Sequence, residues 1–159
     1  MTNITPILTN AFKFTIDRGS DKLELFCQAT GLPGVKLSVQ PQPTKLGVQI
    51  PVATNTFNFD PLAIEFLVDG NMENWKSVYT WMKQIGNISD DISGTPYQSW
   101  SATAYLTPLS PKFCPIPGGQ ITFYYVIPVD LGGLSFKADI NDPTPVKCRV
   151  VFNYAYYSF

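Results

Sequence analysis

The chain has 159 residues, 45% of them hydrophobic and only 14% charged, with 11 basic residues against 12 acidic ones for a formal charge of −1. That length fits a single domain, residues 1–159, able to bury a core without disulfide or metal staples, and the balance of charge argues against a dedicated nucleic-acid binder or a polybasic membrane-surface module. A charged fraction well below the usual value of about 25% leaves too few charges to solvate every face of an isolated monomer, so polar-poor surface is expected to meet protein.

Fourteen prolines and 11 glycines punctuate short runs rich in Phe, Tyr, Val and Ile, which predicts many short strands and a mainly β protein. Residues 1–10 form an N-terminal arm with no basic start and no long apolar run, so it does not read as a signal peptide, and the chain is expected to remain in the cytosol or assemble from there. Phe12, Phe14 and Ile16 alternate with polar residues, as do Leu23, Leu25 and Cys27, across a turn at Asp17-Arg18-Gly19-Ser20. Residues 35–52 predict a long β-hairpin. Val35, Leu37, Val39, Leu46, Val48 and Ile50 fall on its packed face, Lys36, Ser38, Gln40 and Gln49 on its polar face, and Pro41-Gln42-Pro43-Thr44 at its tip. Leu62, Ile64, Phe66 and Val68 predict a strand ending at Asp69-Gly70.

Trp75, Val78, Tyr79, Met82 and Ile85 then recur with the helical period, predicting one helix over 71–86 with an N-cap at Asn71 and a stop at Gly86. Trp75 belongs to that apolar stripe, whereas Trp81 leaves it and is expected to meet a neighbouring segment or subunit. Residues 87–100 read as a surface loop. Strands resume at Ser101 to Thr107, at Ile121 to Ile127 with alternation through Phe123 and Tyr125, and at Cys148 to Tyr156, with a further short strand at Leu134 to Lys137.

The chain has no histidine, and Cys27, Cys114 and Cys148 form no CxxC pair, so imidazole catalysis, the usual nucleophile triads and ordinary zinc sites are excluded. The cysteines are expected as small buried hydrophobes. Asp90-Asp91 and Asp139 with Asp142 are close carboxylate sets, but both lie among turn formers without calcium-loop spacing, and Gly118-Gly119 and Gly132-Gly133 lack any phosphate-loop context. No catalytic residue, cofactor or metal is assigned, and no stretch approaches a membrane span. Trp100, Tyr97 and Tyr156 leave open a monomeric glycan-binding β-sandwich. An enzyme would require convergent carboxylates in a deep pocket.

The order of elements, carried by CQATGLPGVKLSV at Cys27 to Val39, TFNFDPLAIEFLVDGNMENWKSVYTWMKQIG at Thr56 to Gly86 and the closing VKCRVVFNYAYYSF from Val146, resembles the tail-tube family of contractile-tailed bacteriophages. The resemblance implies an antiparallel β-sandwich or barrel with a long hairpin and one flanking α-helix. It further implies homohexameric rings that stack into an inner tube, tail sheath and baseplate or neck proteins as partners, DNA as transient non-specific cargo, no membrane, and a place in the virion after assembly in the host cytoplasm. A tube-initiating or tube-capping ring at the baseplate or neck is the alternative role. Ring and stacking contacts are then expected at Ile4, Ile7, Leu8, Pro41, Gln42, Pro43, Thr44, Lys45 and Trp81, with Lys36, Ser38, Gln40 and Gln49 facing the lumen. Four strands from each of six subunits, about 4.8 Å apart, would close a ring roughly 37 Å across before tilt. Low basicity suits a conduit, because strong phosphate attraction would retard passage.

Overall fold

The structure, a computed structural model, describes residues 12–19, 22–25, 27–86, 101–110, 112, 114–138 and 144–159. Ile4, Ile7, Leu8, Asp90, Asp91, Tyr97, Trp100, Asp139 and Asp142 lie outside the described residues. Among the described residues ten strands and one helix follow in chain order: β1 (Phe12–Asp17), β2 (Lys22–Leu25), β3 (Cys27–Thr30), β4 (Val35–Pro43), β5 (Gln49–Phe59), β6 (Leu62–Leu67), α1 (Glu73–Ile85), β7 (Ala102–Pro108), β8 (Ile121–Leu131), β9 (Lys147–Asn153) and β10 (Tyr156–Ser158). The β1–β2 turn needs a residue of positive φ, which Gly19 supplies at 83°, and the Gly19 N–H donates to the Asp17 carboxylate at 2.8 Å.

Antiparallel pairing runs β2-β1-β7-β8-β9-β6-β3, with β10 added to β8. The ends of this path, β2 and β3, are successive along the chain, and β3 also lies against β1, so the layer curls on itself as a barrel. What reads as one alternating strand through Leu23, Leu25 and Cys27 is therefore two strands serving opposite ends of the sheet. Inward side chains from every wall, among them Phe14, Ile16, Leu25, Leu62, Ile64, Phe66, Phe123, Val150 and Phe152, form one buried cluster.

Simple alternation breaks where strands bulge. On β8, Ile121 and Phe123 are buried, but Tyr125 takes φ 57° and is exposed, and burial resumes at Val126 and Pro128. One extra residue against β7 moves the inward face from odd to even positions, so Tyr125 points opposite to its expected side. The closing strand likewise ends at Asn153, and β10 turns back onto β8 with Tyr157 opposite Phe123. Residues 132–138 form no strand; Gly132 instead brings its N–H to Arg149 O at 2.7 Å, an approach so close that a Cβ there would lie 3.0 Å from that oxygen. Of the cysteines, Cys148 is buried and Cys27 half-buried, while Cys114 is exposed, contrary to its expected burial.

The helix is present, but turned relative to the predicted stripe. Its buried residues are Asn74, Val78 and Trp81, which recur with the same helical period one position round from Trp75 and Tyr79. Trp81 is therefore a core residue, not a subunit contact: it is 1% exposed, its ring lies 6.2 Å from that of Phe152, and the Arg18 guanidinium stands 5.0 Å over it. Trp75 and Tyr79 stack 5.4 Å apart on the flank, with the Trp75 indole N–H donating to Gly132 O at 3.3 Å.

Asn74 is what turns the helix. Its amide donates to Leu67 O at 2.7 Å while its carbonyl oxygen accepts from the Asp69 and Trp75 N–H groups at 3.3 and 2.8 Å, tying the helix start to the end of β6. The cap itself is made by Asp69, whose carboxylate accepts from Glu73 N–H at 2.7 Å, and Met72 rather than Asn71 holds the N-cap position in a left-handed conformation. A core assignment for Trp81 predicts that Trp81→Ala lowers the unfolding free energy of the dissociated subunit by about 3–5 kcal/mol in denaturant titration, whereas a pure interface residue would leave it unchanged.

Candidate assembly site

The hairpin of β4 and β5 is a sheet of its own, separate from the barrel. β3 leads into β4 and β6 pairs with β3, so the barrel pair β3–β6 and the arm β4–β5 are two lengths of one long hairpin, jointed at residues 31–34 and 60–61. The strands reach further than the sequence suggests: Pro41 and Pro43 lie within β4, facing Pro51 and Gln49, and the turn falls at residues 44–48. Gly47 takes φ 74° there, and Thr44 N–H donates to Val48 O at 3.1 Å. Midway the register shifts, since Leu37 pairs with Phe57 but Val39 with Ala53, leaving two extra residues on β5. Thr54 and Asn58 bridge the irregularity through their side chains to Ser38 O and Ser38 Oγ at 2.7 and 3.0 Å.

Residues directly opposite in an antiparallel ladder share a face. One face of the arm thus carries Val35, Leu37, Val39, Pro41 and Pro43 with Phe59, Phe57, Ala53, Pro51 and Gln49, and the other carries Lys36, Ser38, Gln40 and Gln42 with Asn58, Val52 and Ile50. The predicted polar set Lys36, Ser38 and Gln40 shares a face, but Gln49 stands on the other one, and Ile50 stands among the glutamines. The turn at residues 44–48 is the cause, because it sets Pro43 opposite Gln49 and so puts the odd positions of both strands on one face. The apolar face, predicted to be packed, is covered only at its base by the contacts of Phe59: Val39 is 56% exposed, Phe57 63% and Leu46, at the tip, 89%.

Where the arm meets the barrel, the C-terminal segment braces the joint. Tyr154 OH donates to Asp60 O at 2.8 Å and Tyr157 OH to Pro33 O at 3.2 Å, so one phenol holds each strand. Asp60 N–H also donates to Gly34 O across the joint at 3.0 Å. The Phe59 ring lies 5.9 Å from Tyr154 and 5.5 Å from Tyr157, and both tyrosines pack on Phe123 of the core. Burial, then the neighbouring Tyr157 and Asp60, push the Tyr154 phenol from 10.0 up to about 12, and burial pushes the Cys27 thiol from 9.0 up to about 12. No tyrosine on this brace was singled out by the sequence, where Tyr154 reads only as one more alternating residue. Among the described residues no group of three or more Cys, Asp or Glu is placed to hold a metal ion, and no helix is long and apolar enough to cross a membrane.

A small antiparallel barrel with one flanking helix and a free-standing two-stranded arm is a tube-type fold. A family model described as phage tail tube protein matches residues 2–109, over half the chain, and the chain belongs to that family. Among solved structures it is similar to a chain of the anti-feeding prophage (AFP) baseplate, with 12% identity, a TM-score of 0.71 and coverage of 98% of this chain and 96% of that one. It is also similar to a chain of the sheath/tube terminator of an extracellular contractile injection system, PVC, with 9% identity, a TM-score of 0.68 and coverage of 99% and 98%. A crystal structure of Hcp protein shares the fold at 10% identity and a TM-score of 0.52, with coverage of 90% and 88%. A comparison with curated proteins found no match.

The brace has a pH signature. In the unfolded chain the Tyr154 phenol ionises near 10.0 and in the folded chain near 12, so its contribution to stability is complete below about pH 10 and is lost as pH rises through about 12. Spectrophotometric titration of Tyr154→Phe is expected to lack a tyrosine step near pH 12, and denaturant titration is expected to show a loss of about 1 kcal/mol at neutral pH.

Proposed function

We propose that this chain is a non-enzymatic structural subunit that closes into six-membered rings, and that the rings stack into the inner tube of a contractile tail through which the genome passes. The observation that carries this reading is the arm: an exposed two-stranded sheet with an apolar face and two open edges, structure that water alone does not stabilise. A second copy of the chain supplies both the missing strands and the missing cover. Lys36, Ser38, Gln40 and Gln42 share the arm's more polar face and are the proposed lumen-facing residues, with Gln49 removed from that set. Ring-to-ring contacts are proposed at Pro41, Gln42, Pro43, Thr44 and Lys45, extended to Leu46 by its exposure, and at Ile4, Ile7 and Leu8 of the N-terminal arm.

Size constrains which strands line the bore. Twelve arm strands about 4.8 Å apart would close a ring only about 18 Å across before tilt, so a 24-strand ring roughly 37 Å across needs two barrel strands per subunit. β3 and β6, which run directly into β4 and β5, are the proposed pair. Tail sheath and baseplate or neck proteins are the proposed partners, DNA is transient non-specific cargo, and the location is the virion tail after assembly in the host cytoplasm. A tube-initiating or tube-terminating ring is the second reading, suggested by the baseplate and terminator assemblies that contain chains of this fold.

Sedimentation velocity and negative-stain microscopy of the purified chain are expected to show six-membered rings or tubes at high concentration. A replacement of Pro41–Lys45 by a minimal turn, or deletion of residues 2–9, is expected to leave folded subunits that stack poorly. A chain that stays monomeric at every concentration, with and without tube fragments as template, contradicts both readings.

A further inference from the structure

The prolines of the arm are placed by a rule. Pro41, Pro43 and Pro51 all stand at odd positions, and Pro41 lies directly opposite Pro51. Neither residue has an N–H, so theirs is a pair that exchanges no hydrogen bonds, and the bonds run through the flanking pairs Gln40 with Val52 and Gln42 with Ile50. Thr44 N–H donating to Val48 O continues the same alternation to the tip, and Thr54 Oγ1 donating to Ser38 O places that even-numbered carbonyl on the β5 side as well. The even residues of β4 therefore turn their backbone groups toward β5, and the odd residues turn theirs to the open edge.

Two consequences follow from this parity. The three prolines remove none of the hairpin's own bonds, because their missing donors would all have pointed outward. They also strip outward donors from the distal arm, at two positions on β4 and one on β5, while Val35, Leu37 and Val39 keep three outward N–H groups on the proximal stretch of β4. That same stretch has the exposed side chains Val35, Leu37 and Val39 on its apolar face beside Phe57. On the β4 edge donors and apolar cover thus coincide near the joint, and near the tip no outward donor remains on β4 and only that of Gln49 on β5.

We propose that the arm is divided in function: a strand of a second copy adds to β4 along Val35–Val39, and the distal length from Pro41 to Pro51 is blunted against strand addition so that it contacts a second copy by its faces alone. An open β4 edge of nine residues would accept a neighbour in several registers. On the β4 edge, confining the donors to one short stretch fixes a single lateral register, which a closed ring requires and a sliding ribbon does not. This inference rests on the ring reading above, and the two fail separately.

The test compares assembly of the intact chain with two sets of variants by sedimentation velocity and electron microscopy, with circular dichroism to establish folding. Leu37→Pro removes one outward donor and no internal bond, and is expected to raise the concentration needed for half-assembly at least about tenfold. Val39→Pro removes the next outward donor and serves the same purpose if Leu37→Pro does not fold. Replacing Pro41, Pro43 and Pro51 together by Thr restores the distal donors, and is expected to give off-size particles and a several-fold rise in thioflavin T fluorescence. If folded Leu37→Pro and Val39→Pro assemble at the concentration of the intact chain, the proximal edge is not the strand-addition site. A triple Thr variant that builds particles indistinguishable from those of the intact chain defeats the blunting role. An intact chain that never assembles defeats the ring reading before any variant is compared.

Discussion

A β-strand with an unpaired edge holds backbone donors and acceptors that only another strand or water can satisfy, and an apolar face that water does not satisfy at all. The barrel of this chain solves the second problem internally, since its apolar side chains share a single buried cluster with α1, and its end strands β2 and β3 are adjoining pieces of one chain. The arm solves neither. Everything distinctive about the protein follows from attaching an unfinished sheet to a finished one.

The attachment is built with some care for rigidity. An arm on a flexible joint would lose part of its assembly free energy to ordering on each association. Here Tyr154 and Tyr157 reach from the C-terminal segment to one carbonyl on each strand of the joint, and their rings sit between Phe59 of the arm and Phe123 of the core. The segment that follows β9 thus links the geometry of the arm to the core of the barrel. This placement also accounts for β10, a three-residue strand that would contribute little to the barrel on its own but holds Tyr157 in register against Phe123.

Much of this was legible in the sequence, and the failures share a physical cause. Turn-rich composition, the Val35-to-Val52 hairpin and the single helix could be read from local periodicity, because each depends on near neighbours. The alternation rule failed where the register is set by something alternation does not show: the turn at residues 44–48 sets Gln49 opposite Pro43 and so on the apolar face, and one extra residue on β8 turns Tyr125 outward. It failed again where burial is polar. A helix whose hidden face begins with Asn74 hides its true phase, so the stripe was assigned one position off and Trp81 was placed outside the core it fills. Proline was read as a strand breaker, which holds for a central strand; at outward positions of a free-standing pair it is compatible with the ladder. The exposure of the arm was legible only as a shortage of charge, because alternation predicts that a face is apolar and cannot say whether the same chain covers it.

Site-resolved hydrogen exchange on assembled and dissociated protein bears most directly on the claim that this chain is completed by its own copies. The account predicts that the backbone amides of Val35, Leu37 and Val39, open to solvent in the subunit, become strongly protected on assembly, while the amide of Gln49, outward-facing on the distal arm, does not. Unchanged exchange at Val35, Leu37 and Val39 in assembled particles would contradict it.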